Sequence, residues 1–450
     1  MNLTRTLLIF ARAALLLAAL PLAAQTTPRA SATEQTVEQL LAAQQWQQVA
    51  DRLAPVQPRS AQQSYDYGAA LAHLGRWQQA RAALEAGERM APGDAHFPIE
   101  LAGIAFKQKQ YPRAAACLRR ALKLSPGNDY ANNFLATVYY LEDNLPAALK
   151  YWNRAGKPRL AEVRVEPALR VSPALLDHAF AFAPDSLLTP RQLADSETRV
   201  GGLGIFPQAH FSLRARSDGN FDMVFRAQES NGFGDGKLET LFLLLRGLPF
   251  QSIEPEYDNA GGRAVNVQAL LRWDAQKRRA YARFSGPLEG STVHRFAFTL
   301  DLRNENWEIR RSFAGPAPVL ASLNLRREVG AFQLLSSASD RLQWSAEGEL
   351  SHRDYRSVVP GTVLTPGLLA AGFELKQTAE LRSTLLRVPE RRFTLAAEGS
   401  SQAARLWSPH PQAFEKLQAS LDGHWFPCPT GRDYETTAWI RAGRTFGQPP

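Results

Sequence analysis

Three stretches align column by column: Trp77-Gln78-Gln79-Ala80-Arg81-Ala82-Ala83-Leu84, Tyr111-Pro112-Arg113-Ala114-Ala115-Ala116-Cys117-Leu118 and Leu145-Pro146-Ala147-Ala148-Leu149-Lys150-Tyr151-Trp152. Their first residues stand 34 apart, and each bulky opener is followed three positions later by alanine (Ala80, Ala114, Ala148). The columns then continue through Leu84, Leu118 and Trp152 to Gly87, Ala121 and Ala155, with Pro92 and Pro126 closing two of the units. A column that keeps its size at a fixed period is a packing position. Small residues let one helix approach the next, and proline stops a helix where another must begin. The chain therefore opens with stacked helix pairs, a scaffold that binds rather than a pocket that reacts.

A 34-residue helix-turn-helix repeat with this order of bulky and small residues resembles the tetratricopeptide (TPR) family. The pattern runs over 33–156: a degenerate unit around Trp46, Val49 and Leu53, two full units, and a last one through Asn133, Leu135, Tyr139, Leu145, Ala148 and Trp152. The resemblance implies a groove for a protein or polymer ligand, with Asn132, Asn133 and Tyr139 as candidate groove residues. Gly156-Lys157-Pro158 ends the pattern. The prolines at 158, 167, 173, 184 and 190 predict a connector over 157–200 holding one short helix.

Before the repeats, Arg5 and Arg12 precede an apolar run, Ala13 to Leu22, that ends in Ala23-Ala24. That length suits a signal-peptide core, here residues 1–24, and is too short to span a bilayer. The chain is read as exported. No later apolar run has the length of a membrane helix, so a membrane crossing would have to use strands. Two cysteines, Cys117 and Cys428, make no disulfide framework. The formal charge of +9 suits an anionic lipid or acidic glycan; export argues against nucleic acid.

From about residue 201 to 450 the period is two. Val265, Val267, Ala269, Leu271 and Trp273 share one face while Asn266, Gln268 and Arg272 share the other. Phe296, Phe298, Leu300 and Leu302 likewise oppose Arg295, Thr299, Asp301 and Arg303, and Leu417, Ala419 and Leu421 oppose Gln418, Ser420 and Asp422. Strands of this length with aromatics near their ends fit a membrane barrel, apolar outside and polar within. Val267, Phe298 and Leu300 are then candidate lipid-facing residues. A soluble β-sandwich would show the same alternation with its apolar face as core. The fold class expected is α+β multidomain, a helical TPR solenoid followed by an antiparallel meander barrel.

The order of signal, repeats and barrel resembles the outer-membrane exporters of bacterial exopolysaccharides. The strand region itself resembles the surface-antigen, or BamA-like, barrels through Leu270-Leu271-Arg272-Trp273-Asp274-Ala275-Gln276-Lys277-Arg278-Arg279 and Gly443-Arg444-Thr445-Phe446-Gly447-Gln448-Pro449-Pro450. Those families carry polypeptide-binding modules where this chain has repeats, so their insertase activity is not implied. Phe446-Gly447-Gln448-Pro449-Pro450 is an unusual barrel terminus, because two prolines cannot donate to a ladder. It predicts an open sheet, with further strands beyond Pro450.

No nucleophile elbow, zinc-protease helix, phosphate loop or Cys-x-x-Cys pair is present, and the eight histidines lack ligand spacing. Neither a catalytic site, a metal nor a cofactor is expected. Asp218-Gly219-Asn220 and Gly232-Phe233-Gly234-Asp235-Gly236 read as hairpin turns. Basic groups at strand ends, Lys277-Arg278-Arg279, Arg310-Arg311, Arg326-Arg327 and Arg391-Arg392, could meet anionic headgroups. The function expected is that of an outer-membrane barrel protein whose periplasmic repeats recruit a protein or polymer, with membrane lipid as second partner. The alternatives are a soluble periplasmic adaptor with a β-sandwich, and a carbohydrate-active enzyme using Glu347 and Glu349.

Overall fold

A computed structural model of the chain describes residues 36–233, 245, 247–310, 317–359, 369–409, 411–428 and 434–447. The signal-peptide reading, Arg311, and residues 234–236 and 448–450 lie outside them. The chain divides into two compact units: residues up to Leu141 with the short segment Ala215–Asn220, and Glu142–Arg214 with Phe221 onward.

The first unit is helical. Its helices are α1 (Val37–Ala42), α2 (Trp46–Leu53), α3 (Ala61–His73), α4 (Trp77–Met90), α5 (His96–Lys107), α6 (Tyr111–Leu124) and α7 (Asp129–Leu141). Thr36 and Ser60 start α1 and α3 with reciprocal capping boxes to Gln39 and Gln63. The small columns are packing positions, as the period demands: Ala80, Ala114 and Ala121 are fully buried, together with Leu84 and Leu118. A Cβ at Gly87 would lie 2.3 Å from the Phe97 ring, so glycine here is a steric requirement. Each helix pair turns through a left-handed residue, Gly75 (φ 75°) and Lys109 (φ 58°), again 34 apart. The pattern is a TPR-like array.

The second unit begins with α8 (Leu145–Trp152), whose Ala147, Ala148, Leu149, Tyr151 and Trp152 are buried. Trp152 packs on Phe221, ring centroids 5.3 Å apart. The residues expected to form a proline-rich connector with one short helix carry a strand and two helices. They supply β1 (Leu160–Val165), α9 (Pro173–Ala179) and α10 (Pro190–Gly202). Pro173 and Pro190 occupy first helical positions, where a preset φ favours initiation and no N–H is missed. Two strands expected to open the barrel, β2 (Gln208–Ala215) and β3 (Phe221–Gln228), join β1 instead in a three-stranded sheet ordered β1-β3-β2. β1 and β3 run parallel, Val163 beside Met223. Phe180, Phe182, Phe211 and Phe225 fill this small core with centroids 4.8 to 5.8 Å apart.

Among the described residues the large sheet has eleven strands. Short β4 (Ser252–Ile253) and β5 (Glu256–Tyr257) pair with β6 (Asn266–Trp273). The wall then meanders through β7 (Lys277–Pro287), β8 (His294–Arg310), β9 (Val319–Ser336), β10 (Leu342–Val359), β11 (Gly372–Val388), β12 (Phe393–Trp407), β13 (Gln412–Trp425) and β14 (Thr436–Gly447). Every neighbouring pair in this run is antiparallel. Among the described residues β14 pairs with β13 alone and no ladder joins it to β4, β5 or β6, so no closed barrel is formed by the described pairings. No described helix is long and apolar enough to cross a membrane.

One end of the strands is built onto the small α/β layer. Thr292 Oγ1 donates to the His178 carbonyl at 2.8 Å, the Arg199 guanidinium donates twice to the Ala338 carbonyl at 3.1 Å, and the Asp340 N–H donates to Asp195 Oδ1 at 2.9 Å. At the same end the turn after β11 meets α8. Lys150 Nζ and the Tyr151 hydroxyl both donate to Glu390 Oε1, at 2.6 and 2.9 Å, and Asn144 Nδ2 donates to the Pro389 carbonyl at 2.8 Å.

Candidate binding faces

The first helices of successive units, α3, α5 and α7, present one set of residues at helical spacing: Gln62, Tyr65 and Asp66, then His96 and Glu100, then Tyr130 and Asn133. Tyr65 and Asn133 occupy equivalent places two periods apart. The Tyr65 hydroxyl donates to Glu100 Oε1 at 3.3 Å, and its ring stands edge-on to His96 and Phe97. Burial and the Glu100 carboxylate both push the Tyr65 hydroxyl well above the usual phenol range; Tyr130 is raised by the same two causes. Tyr130 is nonetheless 64% exposed.

Of the three residues expected in the groove, only Asn133 is partly open to solvent. Asn132 and Tyr139 are 1% and 2% exposed. Asn132 Nδ2 donates to the carbonyls of Pro126 and Asn128, at 3.1 and 3.0 Å, tying α7 to the turn before it. The Tyr139 hydroxyl accepts from Arg119 at 2.6 Å. Both are structural. Tyr65 and Tyr130 were missed because an isolated tyrosine carries no period; their places in the 34-residue frame would have found them.

The large sheet has two unlike faces. Val267, Phe284, Phe298 and Phe332 lie side by side across β6 to β9, and Leu300 follows one pleat further on. Val267, Phe298 and Leu300 are 37%, 49% and 41% exposed, so their face is bare. Aromatic rings border it at both ends. Trp273, Phe373, Trp407 and Phe446 stand at one end, Trp344 and Trp425 at the other, and all are exposed. Beyond the first border the same face turns polar, where Asn324 donates to Asn304 and Asn306 and Arg326 pairs with Glu328 at 2.7 Å.

The opposite face carries charge, and four of its carboxylates are buried: Asp301, Glu305, Glu349 and Glu374 are 6 to 8% exposed. Asp301 accepts from Arg279 at 2.8 and 2.9 Å and from Arg303 Nε at 2.9 Å; Glu349 is shared by Arg327 at 2.8 Å and Lys376. Successive strand residues point oppositely, so the doublets Arg278-Arg279 and Arg326-Arg327 are divided. Arg278 and Arg326 stand on the apolar side's margin, whereas Arg279 and Arg327 are spent on Asp301 and Glu349. Arg392 is also committed, to the Glu142 carbonyl at 2.7 Å. The Asp218-Gly219-Asn220 stretch is the β2–β3 turn, closed by the Arg216 N–H on the Asn220 carbonyl.

No family model matches the chain, and no curated protein does. Solved structures match the helical region. MamA is 17% identical over 26% of this chain and 71% of its own, with a TM-score of 0.26. YrrB, described as a TPR protein with an unusual peptide-binding site, is 14% identical over 26% of this chain and 63% of its own, TM-score 0.25. The second TPR of Spaghetti (RPAP3), bound to an HSP90 peptide, is 17% identical over 24% and 94%, TM-score 0.21. The repeat assignment rests on the chain's own helix pairs and their period.

Proposed function

We propose that the chain is a bacterial outer-membrane protein in which a β-barrel wall, built around the large sheet, carries a periplasmic repeat domain that recruits a protein or polymer for envelope assembly or export. One observation carries the reading: burial on the large sheet is inverted relative to a soluble sandwich. The apolar face is bare and bordered by aromatics, while the sheltered face holds carboxylates paired with arginine and lysine. A soluble sheet leaving this many large apolar groups in water would aggregate. Against hydrocarbon the same face is satisfied, and a charged lining is the ordinary content of a barrel lumen.

The likeness to BamA-like barrels belongs to this proposal. Its first carrying stretch falls on the β6–β7 hairpin, and the described part of the second, Gly443 to Gly447, on β14. The chain acts by binding. Glu349, one of the two carboxylates that a glycosidase reading would use, is engaged by two cations and serves charge compensation. The test is to express the whole chain in a Gram-negative host, fractionate the envelope, and compare boiled with unboiled samples on a gel. Outer-membrane recovery with a heat-dependent shift in migration supports the barrel. Recovery in the soluble periplasm with no shift would sink it.

A further inference from the structure

We propose that the first-helix face of the repeat unit receives an extended peptide rich in lysine or arginine, its cations seated on Asp66 and Glu100 beside Tyr65 and Tyr130. The inference deepens the recruiting role proposed above and rests on it.

The carboxylates on this face are arranged by the repeat. Glu38, Asp66 and Glu100 lie on the first helices α1, α3 and α5, and Asp66 and Glu100 are equivalent positions 34 apart. Among the described residues none of the three forms an ion pair, although the second helices of the same units pair theirs: Glu85 with Arg113 at 3.5 Å and Glu88 with Arg120 at 3.3 Å. Arginines are therefore available in the unit but placed elsewhere. Asp66 is held above the usual carboxylate range by burial, with Glu38 adding repulsion against the hydrogen bond from Gln62. A bound cation relieves that repulsion.

The tyrosines make the face more than an acidic patch. Tyr130 offers an exposed ring and Tyr65 a half-buried one, each within the field of Glu100. An ammonium or guanidinium over such rings gains from the ring quadrupole as well as from the carboxylate. Packed helices stand about 10 Å apart, and an extended peptide rises about 3.3 Å per residue. A cation at every third residue would meet Asp66 and Glu100 in turn. The whole chain, at +9, favours acidic ligands by its long-range field, so a preference for lysine would have to come from this face.

The test uses the full chain in detergent and fluorescence anisotropy with two labelled peptides, four repeats of Lys-Ser-Ser and four of Glu-Ser-Ser. The lysine peptide should bind about tenfold or more tightly than the glutamate peptide. Glu100→Gln and Asp66→Asn should each weaken it by about five- to tenfold, with circular dichroism unchanged. Tyr130→Ala should weaken it several-fold, and Glu85→Gln, on a second helix, should leave it as it was. Equal or stronger binding of the glutamate peptide, or indifference to Glu100→Gln, overturns the cation assignment and leaves the recruiting role standing. Binding of neither peptide also overturns the cation assignment, while the barrel reading is judged separately by fractionation.

Discussion

A methyl group added at Gly87 and one added at Gly75 would fail for different reasons. At Gly87 the new atom meets the Phe97 ring and, at 3.1 Å, Ser64 Cβ, so Gly87→Ala overpacks and should cost on the order of 1–3 kcal/mol. At Gly75 the space is open, with only the Trp77 ring at 4.0 Å, and the cost is the left-handed backbone. Gly75→Ala should cost about 1 kcal/mol. Ala114→Trp, at a fully buried column, should exceed both. Chemical denaturation followed by helical circular dichroism ranks the three. An unaffected Ala114→Trp protein would defeat the packing account. The period exposed these columns because size recurs in register. It could not show that Lys109 takes the same left-handed turn as Gly75, since a lysine there looks like any solvent residue. Nor could it show that Asn132 is buried: a polar residue beside the expected groove reads as ligand-facing until its amide is seen serving the Pro126 carbonyl.

At the scale of the strand, the two faces make opposed demands. Leu300→Arg or Val267→Arg on the bare face should cost about 2–4 kcal/mol near mid-membrane, whereas Gln268→Arg on the polar face should be nearly silent. Outer-membrane assembly yields measure the difference, and equal tolerance would count against lipid contact. The turn after β11 offers a second test. Burial alone would raise the Glu390 carboxyl, but Lys150 and Tyr151 hold it below the ordinary glutamate value. Its contribution is therefore complete above the ordinary glutamate range and is lost as pH falls through the depressed folded value. Glu390→Gln should lower stability by about 1 kcal/mol at neutral pH and flatten the acid limb of the melting curve. An acid limb that keeps its slope would assign it to other carboxylates. Alternation made the strands readable because it is local. The 157–228 segment was misread because its sheet forms between Val163 and Met223, sixty residues apart in a parallel ladder that no short window contains.

For the whole molecule, two compact units predict two unfolding steps. Ala114→Trp should move the helical step and leave the strand step in place; a single transition that shifts as one would contradict that division. The boundary falls after Leu141, earlier than the repeat pattern suggests, because α8 spends its apolar side on Trp152–Phe221 packing and its polar side on Glu390. The meander has a genetic consequence. From β6 to β14 each strand pairs with its neighbours in the chain, and the connections after β7, β9 and β11 all emerge at the end that carries α8 and the small α/β layer. Gaining or losing one strand would send every later connection to the wrong end and strip those anchors. Gaining or losing two strands together changes the width of the sheet and keeps the remaining turns at their own ends. A lineage built on this plan would widen or narrow its wall by duplicating or deleting hairpins, so length differences among its members should come in steps of two strands.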